Sequence, residues 1–211
     1  MKILIMTNGE YGRLEWYTGK EKEFELVISV DGGAGWARKL GIIPGLLAGD
    51  MDSVAEDDLK YMERHGVQIS RYSSQKDHTD TQISLQLADQ LGADEITVWG
   101  GMGSRLDHTL SNLYSAAYFA LRGKVVRFDS PDLAIYLVKD VLRLSGEVGN
   151  TVSVLALGDK AEGITLEGFQ YPLTDVKVDS MWQIGVSNVV KSKPQVVRVT
   201  SGILAVFYYR G

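Results

Sequence analysis

Short apolar segments alternate with amphipathic ones through the first 130 residues. The apolar runs predict β-strands at KILIM, ELVISV, GLLAG, EITVWG and KVVRF. The segments AGWARKLG, EDDLKYMERHG, TDTQISLQLADQLG and DHTLSNLYSAAYFALRG repeat apolar residues at helical spacing and predict α-helices. Each predicted helix ends at a glycine, namely Gly41, Gly66, Gly92 and Gly123. This alternation predicts an α/β fold with a mainly parallel sheet and flanking helices.

The helical spacing disappears after about Pro131. The rest of the chain is a series of short β-rich segments separated by Gly, Asp or Asn: LAIYLV, VLRLSG, NTVSVLALG, GITLEGF, DVKVDSMW, VVRVTSG and ILAVFYY. Regular strands and turns of this kind are typical of an antiparallel β-sandwich or a barrel-like domain. We therefore predict an α/β domain over residues 1–131 that packs directly against a C-terminal antiparallel β-sandwich over residues 132–211.

Composition narrows the class of protein. The chain has 211 residues, a net charge of -5 and no cysteine, so disulfides, thiolate nucleophiles and cysteine-bound zinc are excluded. The negative charge argues against binding nucleic acid through a broad basic surface. The first apolar run breaks at Thr7 and is too short for a signal peptide, and no segment is long enough to span a membrane. A cytoplasmic enzyme or binding protein is expected.

The first candidate site residue is Asp31, in ISVDGGAGWA. It follows a predicted strand, and in open α/β sheets ligands bind outside the carboxyl ends of the strands. Gly32 and Gly33 permit a tight turn with exposed backbone N–H groups. The alternative is an ordinary strand-to-helix turn in which Asp31 caps the helix.

The second candidate is the pair Asp50 and Asp52, in LLAGDMDSV. If the backbone stays extended, both carboxylates share one face, and such oxygens suit a hard cation such as Mg²⁺. A calcium EF-hand is excluded because Ala55 and Tyr61 occupy the positions that need glycine and glutamate. The alternative is a solvated acidic loop.

A third acidic motif is QKDHTDTQISLQLADQLG, in which Thr79 or Asp80 is suited to cap the helix. Asp77 and Asp80 then lie at the helix N-terminus, although capping alone would also account for the motif. The expected buried stripe is Ile83, Leu87 and Leu91.

The segment VWGGMGSRLDHTLSNLY combines a glycine-rich turn with charged residues. The turn offers N–H groups to an anion, and the guanidinium of Arg105 suits phosphate oxygens. No Walker-type phosphate loop is present. In the helix after the turn, His108 and Asn112 lie opposite the expected apolar side, which is formed by Leu106, Leu110, Leu113 and Ala117.

These motifs converge on one edge of one sheet. The acidic residues are Asp31, Asp50, Asp52, Asp77, Asp80 and Asp107, and Lys76 and Arg105 lie near them in the sequence. Several carboxylates with a few cations are the groups that a Mg²⁺–polyphosphate site requires. We therefore predict such a site at the carboxyl ends of the parallel strands.

The sequence resembles the thiamine pyrophosphokinases. The matching blocks are DGGAGWARKLGIIPGLLAGDMDSV, KDHTDTQISLQLA, GGMGSRLDHTLSNL, GFQYPL and GVSN. The resemblance implies a nucleotide-binding catalytic domain followed by a β-sandwich that binds thiamine and forms a homodimer. It places thiamine between one subunit's α/β domain and the other's sandwich. The implied reaction is ATP plus thiamine giving AMP plus thiamine diphosphate.

The resemblance also implies roles for individual residues. Mg²⁺ would be held by Asp50, Asp52 and Asp80. The ATP and transfer site would consist of Asp31, Gly32, Lys76, Asp77, Arg105, Asp107, His108 and Asn112, with Asp77 or Asp107 as the base and His108 a less favoured one. Thiamine would contact Tyr171, Ser187 and Asn188. Trp182 is an alternative stacking residue, unless it belongs to the sandwich core, and Ser187-Asn188 would otherwise form a polar turn.

Two other functions fit parts of the pattern. The acidic residues alone would suit a Mg²⁺-dependent phosphohydrolase that acts on a nucleotide or a phosphorylated metabolite. A non-catalytic nucleotide or thiamine sensor would keep the fold but is expected to lose some of the aspartates, and all of them are present. Products formed from ATP with and without thiamine distinguish the three functions.

Overall fold

The chain is represented by a computed structural model that describes residues 1–72 and 78–211. The first half contains β1 (Lys2–Met6), β2 (Leu26–Val30), α1 (Gly33–Lys39), β3 (Leu46–Gly49), α2 (Glu56–Arg64), β4 (Gln68–Arg71), α3 (Asp80–Gln90), β5 (Glu95–Trp99), α4 (Leu106–Leu121) and β6 (Val125–Asp129). All the strands and helices predicted here are confirmed, and each of the four helices is followed by its glycine at positive φ. Strand β4 and two 3₁₀ turns between β1 and β2 were not predicted.

The strands of the first half form a parallel sheet in the order β4-β3-β2-β1-β5-β6. From β1 the chain adds β2, β3 and β4 on one side, and then returns to add β5 and β6 on the other. The order therefore reverses between β1 and β5. In open α/β sheets this is where the connecting loops diverge and leave a crevice at the carboxyl ends.

Side-chain alternation along β1 explains the layers. Ile3 and Ile5 point to one face, where they pack with Leu85 of α3 and Leu113 of α4. Leu4 and its alternate neighbours point to the other face, in a second core to which α1 and α2 contribute. A strand that is buried on both faces needs apolar residues at consecutive positions, which explains the continuous apolar run from which β1 was predicted.

The predicted faces of two helices were partly wrong. In α3 the buried residues are Thr81, Ser84, Leu85 and Ala88, while Leu91 is exposed. Small side chains line the buried face because α3 packs closely against both the sheet and α4. In α4, Leu113 and Ala117 are buried as predicted, but Leu106 and Leu110 are exposed and Asn112 is buried.

The second half consists of antiparallel strands: β7 (Leu133–Val138), β8 (Val141–Leu144), β9 (Thr151–Glu167), β10 (Leu173–Asp179), β11 (Gly185–Val189), β12 (Gln195–Arg198) and β13 (Ser201–Tyr209). Strand β7 pairs antiparallel with β6, so the parallel sheet continues into the second half without a gap. The boundary at residues 131 and 132 remains a prediction.

Strand β9 connects the two layers of the second half. Its first part pairs with β13 and β11, and its last part pairs with β10 and β12. The sequence predicted two strands here, and the structure joins them into one long strand. Val154, Ile164 and Val197 pack between the layers, which is the arrangement expected of a β-sandwich.

None of the helices in residues 1–72 and 78–211 combines the length and the apolar character needed to cross a bilayer.

The start of α3 gives the first prediction. The Thr79 hydroxyl accepts a hydrogen bond from the Gln82 N–H at 3.3 Å, and the Gln82 side chain accepts one from the Thr79 N–H at 2.9 Å. Replacing Thr79 by alanine removes the first bond and should lower the free energy of unfolding by about 1 kcal/mol. Urea denaturation measures this change. The Thr79→Ser control retains the hydroxyl and should stay close to wild type, so an equal loss in both variants would contradict the capping role.

Candidate active site

A cleft opens where the strand order reverses. It has a volume of about 510 Å³ and lies among the loops after β1, β2, β3 and β5 and the first turns of α3 and α4. Its walls include Asn8, Glu10, Asp31, Asp80 and Arg105. We call it the carboxylate cleft. The lining residues all fall between positions 7 and 112, so the cleft belongs to the α/β half of the chain.

The loops after β1 and β5 both line the cleft, and they touch each other. A Cβ at Gly9 would lie 1.9 Å from the carbonyl oxygen of Gly100, so the backbones meet only because residue 9 is glycine. Nearby, Glu10 Oε1 accepts a hydrogen bond from the Ser104 N–H at 3.0 Å. The Ser104 side chain, together with this N–H, lowers the pKa of Glu10.

The sequence motifs did not identify Asn8, Glu10 or Ser53 as cleft residues. The available signal was the end of the first strand, because the carboxyl ends of parallel strands meet at one edge of a sheet. Ser53 adds a contact between two loops, since its hydroxyl accepts a hydrogen bond from the Gly32 N–H at 3.1 Å.

Asp31 is the buried carboxylate of the cleft. It follows β2 with φ of 45°, and its side chain is 3% exposed. Oδ1 accepts a hydrogen bond from the Met51 N–H at 3.0 Å, while Oδ2 is buried and accepts none from the described residues. Desolvation, followed by repulsion from Asp80 and Asp50, raises the pKa of Asp31 to about 6.

The end of β3 is shaped around this carboxylate. A Cβ on Gly49 would lie 2.0 Å from Asp31 Oδ1, and Gly49 has φ of 149°, which side chains rarely adopt. The glycine before the two aspartates is therefore required for space as well as for conformation. It allows Asp31 to reach the Met51 N–H.

The extended backbone expected for Asp50 and Asp52 is not present. Strand β3 ends at Gly49, and Met51 has φ of 69°, so the chain turns between the two aspartates. Asp50 Oδ1 accepts a hydrogen bond from the Asp52 N–H at 3.0 Å, which is an Asx turn. Asp50 contributes to the electrostatics at Asp31, and Asp52 is exposed.

Asp80 is the first residue of α3 and faces Asp31 across the cleft. It is the strongest of the like charges that raise the pKa of Asp31. Thr79 caps the helix, so capping alone does not account for Asp80. The predicted site residues Lys76 and Asp77 lie outside the described residues.

Arg105 and Asp107 form an ion pair at the mouth of the cleft. The Arg105 Nη2–Asp107 Oδ2 distance is 2.5 Å and the Nε–Oδ1 distance is 3.2 Å, so the pairing is bidentate. It lowers the pKa of Asp107. Both side chains are about two-thirds exposed, so the pair contributes little to stability and the guanidinium is available for exchange.

Asn112 and His108 lie on the next turns of α4, and both line the cleft. Asn112 is buried, and its side-chain amide donates a hydrogen bond to the Gly101 carbonyl at 2.9 Å. It therefore holds the glycine-rich turn in place. His108 is exposed, and the Asn112 amide is directed at Gly101 rather than at the His108 ring, so Asn112 does not orient His108 as a base.

The carboxylates have the character of a magnesium site. Among residues 1–72 and 78–211, no three His, Cys, Asp or Glu side chains are grouped closely enough to hold a metal ion by themselves. Mg²⁺ is usually held by one or two carboxylates together with water and substrate phosphates, so a complete protein cage is not required. The unpartnered Oδ2 of Asp31 and the repulsion among Asp31, Asp50 and Asp80 fit a hard cation between them.

The candidate thiamine residues form a separate group on the β-sandwich. Asn188 is buried; its amide donates to the Tyr171 carbonyl at 2.7 Å, and its oxygen accepts from the Tyr171 N–H at 3.0 Å. It therefore positions Tyr171, whose ring is 60% exposed. Ser187 lies in β11 with φ of 58° and is exposed, so this segment is a strand rather than a polar turn. None of these residues lines the carboxylate cleft of the same chain.

Trp182 is not a core residue of the sandwich. Its side chain is 79% exposed, so the interpretation as a sandwich-core tryptophan was wrong. It lies in a turn after β10, next to the equally exposed Met181. The turn is closed by Asp179, whose side chain accepts a hydrogen bond from the Met181 N–H at 2.8 Å.

Comparison with known families gives matches over both halves. The family model "Thiamin pyrophosphokinase, catalytic domain" matches residues 20–126, and "Thiamin pyrophosphokinase, vitamin B1 binding domain" matches residues 140–204. A thiamine pyrophosphokinase of Bacillus subtilis is 27% identical over 194 residues, which cover 88% of each protein.

Solved structures share the fold. A crystal structure of thiamine pyrophosphokinase from Bacillus subtilis covers all of both chains with a TM-score of 0.86 and 23% identity. The thiamin pyrophosphokinase of Candida albicans aligns with a TM-score of 0.81 and 22% identity, over 99% of this chain and 89% of its own. The α/β half followed by an antiparallel half is therefore the architecture of these structures.

Asp31→Asn should change how stability depends on pH. The pKa of Asp31 is about 6 in the folded protein against an ordinary 3.8, so the folded state binds the proton more tightly than the unfolded state. Proton binding by Asp31 therefore stabilises the folded wild-type protein below about pH 4, and this stabilisation is lost as the pH rises through about 6. Asparagine tolerates the positive φ and does not titrate. From pH 4 to pH 7 the variant should gain about 2–3 kcal/mol relative to wild type.

Urea denaturation at both pH values, in buffer free of divalent cations, measures this gain. The exposed Asp52→Asn is the matched control and should show a much smaller pH-dependent difference. A stability difference between Asp31→Asn and wild type that is the same at pH 4 and pH 7 would contradict the raised pKa.

Proposed function

The chain belongs to the thiamine pyrophosphokinase family, whose reaction forms thiamine diphosphate, and we propose that the reaction takes place in the carboxylate cleft. The family uses ATP as a substrate, so the pyrophosphoryl group moves from ATP to thiamine. The thiamine hydroxyl oxygen bonds to the β-phosphorus, the bond from that phosphorus to the α-phosphate oxygen breaks, and AMP leaves. The observation that supports this site is the buried, unneutralised Asp31 between Asp50 and Asp80.

Mg²⁺ is the proposed metal, with Asp50, Asp52 and Asp80 as its ligands. A bound Mg²⁺ would neutralise and orient the triphosphate oxygens. The turn at Met51 moves Asp52 away from the extended geometry, while Asp50 and Asp80 keep their places beside Asp31. All of these donors are carboxylate oxygens, which is the chemistry that Mg²⁺ prefers.

A carboxylate must accept the proton that the thiamine hydroxyl loses. Asp107 is poorly suited because its bond to Arg105 lowers its pKa. Asp31 has a pKa of about 6, close to the working pH, and its Oδ2 has no competing donor among the described residues. We therefore favour Asp31 as the acceptor, and Asp77 remains a candidate by resemblance.

Arg105 has the right chemistry to stabilise the transferred phosphates. Its planar guanidinium already makes a bidentate contact with Asp107, and phosphate oxygens present the same geometry. Exchange of one partner for the other needs little rearrangement of an exposed side chain. Asn112 assists by fixing the Gly101 turn from which Arg105 extends.

The active unit is proposed to be a homodimer. Five large apolar side chains lie at successive turns on one side of α4 and are 52–71% exposed: Leu106, Leu110, Tyr114, Tyr118 and Leu121. We call this the α4 stripe. A solvated helix presents polar residues on its outer face, so a continuous apolar stripe indicates a surface that is covered by a partner.

The β-sandwich carries a second exposed apolar surface, formed by Tyr171, Met181, Trp182, Ile184 and Val186. In a two-fold dimer, the α4 stripe of each copy would pack against the sandwich surface of the other copy. The same contact would therefore occur twice in the dimer. The α4 stripe begins at Leu106, directly after the cleft residue Arg105. A partner seated on the stripe would bring its Tyr171 towards the cleft, where the exposed ring could stack on the cationic thiazolium.

The proposed location is the cytoplasm. The chain contains no cysteine and so needs no disulfide, which is compatible with a reducing compartment.

Product analysis tests the reaction. Wild-type protein with Mg²⁺, ATP and thiamine should form AMP and thiamine diphosphate, and AMP should not form without thiamine. Asp50→Asn should lower the rate by about 10²-fold or more. The variant would lose one carboxylate ligand of the proposed Mg²⁺, so the negative charge on the transferred phosphates would be less well neutralised. Asp57→Asn is the control, since this exposed aspartate of α2 lies outside the cleft. ADP or free phosphate formed without thiamine would indicate a phosphohydrolase instead, and no turnover at all would indicate a sensor.

Leu110→Glu tests the dimer. A charge in the middle of the α4 stripe should convert the dimer to a monomer, because burying an unpaired carboxylate costs several kcal/mol. Sedimentation velocity measures the change. Val148→Glu is the matched control, since Val148 is 66% exposed but lies outside both apolar surfaces. A monomeric wild type, or a Leu110→Glu variant that remains dimeric, would exclude this interface.

A further inference from the structure

Carboxylates of the chain itself occupy donor groups of the glycine-rich turn, residues 100–105. The Ser104 N–H donates a hydrogen bond to Glu10 Oε1 at 3.0 Å. The guanidinium of Arg105 holds Asp107, with an Nε–Oδ1 distance of 3.2 Å. Carboxylate and phosphate oxygens are acceptors of the same kind. A phosphate that binds at this turn therefore has to compete with a side chain for each of these two groups.

Glu10 lies against the turn as an ionised carboxylate. The Ser104 hydroxyl, together with the Ser104 N–H, lowers the pKa of Glu10 from its ordinary value. The side chain runs along the turn, since a Cβ on Gly103 would lie 3.4 Å from both Cγ and Cδ of Glu10. Within residues 1–72 and 78–211, no lysine or arginine forms an ion pair with Glu10. At neutral pH this carboxylate therefore places an uncompensated negative charge at the turn.

The turn does not depend on Glu10 for its position. The Asn112 amide donates to the Gly101 carbonyl at 2.9 Å, and the Gly103 N–H donates to the Thr109 hydroxyl at 3.3 Å. The Glu10 side chain is exposed, so a hydrogen bond that it loses to the turn is replaced by one to water. Glu10 can therefore leave the turn at little cost, while the turn keeps its shape.

The charge of Glu10 acts in opposite directions on the two substrates. The phosphates of ATP are anions, whereas thiamine carries a permanently cationic thiazolium. A fixed negative charge repels the first and attracts the second. The carboxylate cleft also contains Asp31 and Asp80, and the arginine in its lining is paired with Asp107. Glu10 thus increases an existing excess of negative charge in the cleft.

We propose that Glu10 sets the charge preference of the carboxylate cleft, because it takes the Ser104 donors that a phosphate oxygen of ATP would use. This inference rests on the proposed function, which places the phosphates in the cleft. When ATP binds, the Ser104 N–H exchanges the carboxylate for a phosphate oxygen, and the Glu10 side chain turns into solvent. Glu10 is therefore a specificity-determining residue that weakens the binding of ATP relative to that of thiamine.

The test uses the full-length protein and two variants. Glu10→Gln removes the charge but keeps the shape of the side chain and an oxygen that can accept from the Ser104 N–H. Glu23→Gln makes the same change at an exposed glutamate outside the cleft. Titration calorimetry with Mg²⁺ and without thiamine measures ATP binding. Steady-state kinetics measures KM for ATP and for thiamine, and inhibition by inorganic tripolyphosphate.

Glu10→Gln should lower both the Kd and the KM for ATP about five- to tenfold, the size expected for removing one nearby like charge that is exposed to solvent. The inhibition constant of tripolyphosphate, which has phosphates but no adenosine, should fall by a similar factor. KM for thiamine should not fall, since the cation loses an attractive charge. Glu23→Gln should stay within about twofold of wild type in every measurement.

Weaker ATP binding by Glu10→Gln would overturn the inference, because Glu10 would then position the turn rather than compete with phosphate. An ATP affinity equal to that of wild type, or a lower KM for both substrates, would also overturn it. Failure of the proposed function looks different. In that case wild-type protein forms no thiamine-dependent AMP, whereas the calorimetric comparison of ATP binding to wild type and to Glu10→Gln still decides the role of Glu10.

Discussion

The site is organised around one buried carboxylate, Asp31, which has no ion-pair partner among the described residues. Asp31 places Oδ1 against Gly49 and the Met51 N–H, while Oδ2 is left without a donor among the described residues. Burying an unneutralised charge is costly, and the pKa of Asp31 is raised for that reason. The fold tolerates it because β2 and β3 are adjacent strands, so backbone geometry fixes the turn at Asp31 and the turn at Met51 together. A cation in the cleft would remove the penalty, so substrate and metal binding would be coupled to the stability of this corner.

The sequence predicts the sheet and its helices better than it predicts the turns at the carboxyl ends of the strands. The strands and helices of the first half follow from apolar periodicity and glycine stops, because a sheet buried on both faces needs continuous apolar strands. The convergence of Asp31, Asp50 and Asp80 followed from the rule that carboxyl ends of parallel strands meet at one edge. The relation between Asp50 and Asp52 did not follow from this rule. It depends on the positive φ of Met51, whose N–H donates a hydrogen bond to Asp31 at the end of the neighbouring strand. No periodicity in the local sequence encodes that contact.

The faces of α4 were harder to predict for a different reason. Leucines at helical spacing normally mark a buried stripe, and here Leu106 and Leu110 are exposed while Asn112 is buried. Asn112 is turned inwards because the Gly101 carbonyl needs a donor once the glycine-rich turn has formed. The leucines face outwards, where an assembled dimer would cover them. A pattern of apolar residues indicates that a surface is buried, but it does not distinguish burial in the chain's own core from burial against a second copy.

This distinction bears on why the family joins an α/β half to a β-sandwich. The described residues that line the carboxylate cleft all fall between positions 7 and 112, whereas Asn188 and Tyr171 are joined by hydrogen bonds on the sandwich. Within one chain, the proposed site of the phosphate chemistry and the exposed Tyr171 ring therefore lie at different places. The α4 stripe starts beside Arg105, so in the proposed dimer a partner that covers the stripe would also lie next to the cleft. If the partner supplies the aromatic wall, an isolated subunit exposes both apolar surfaces and a partly formed site, and catalysis then depends on association.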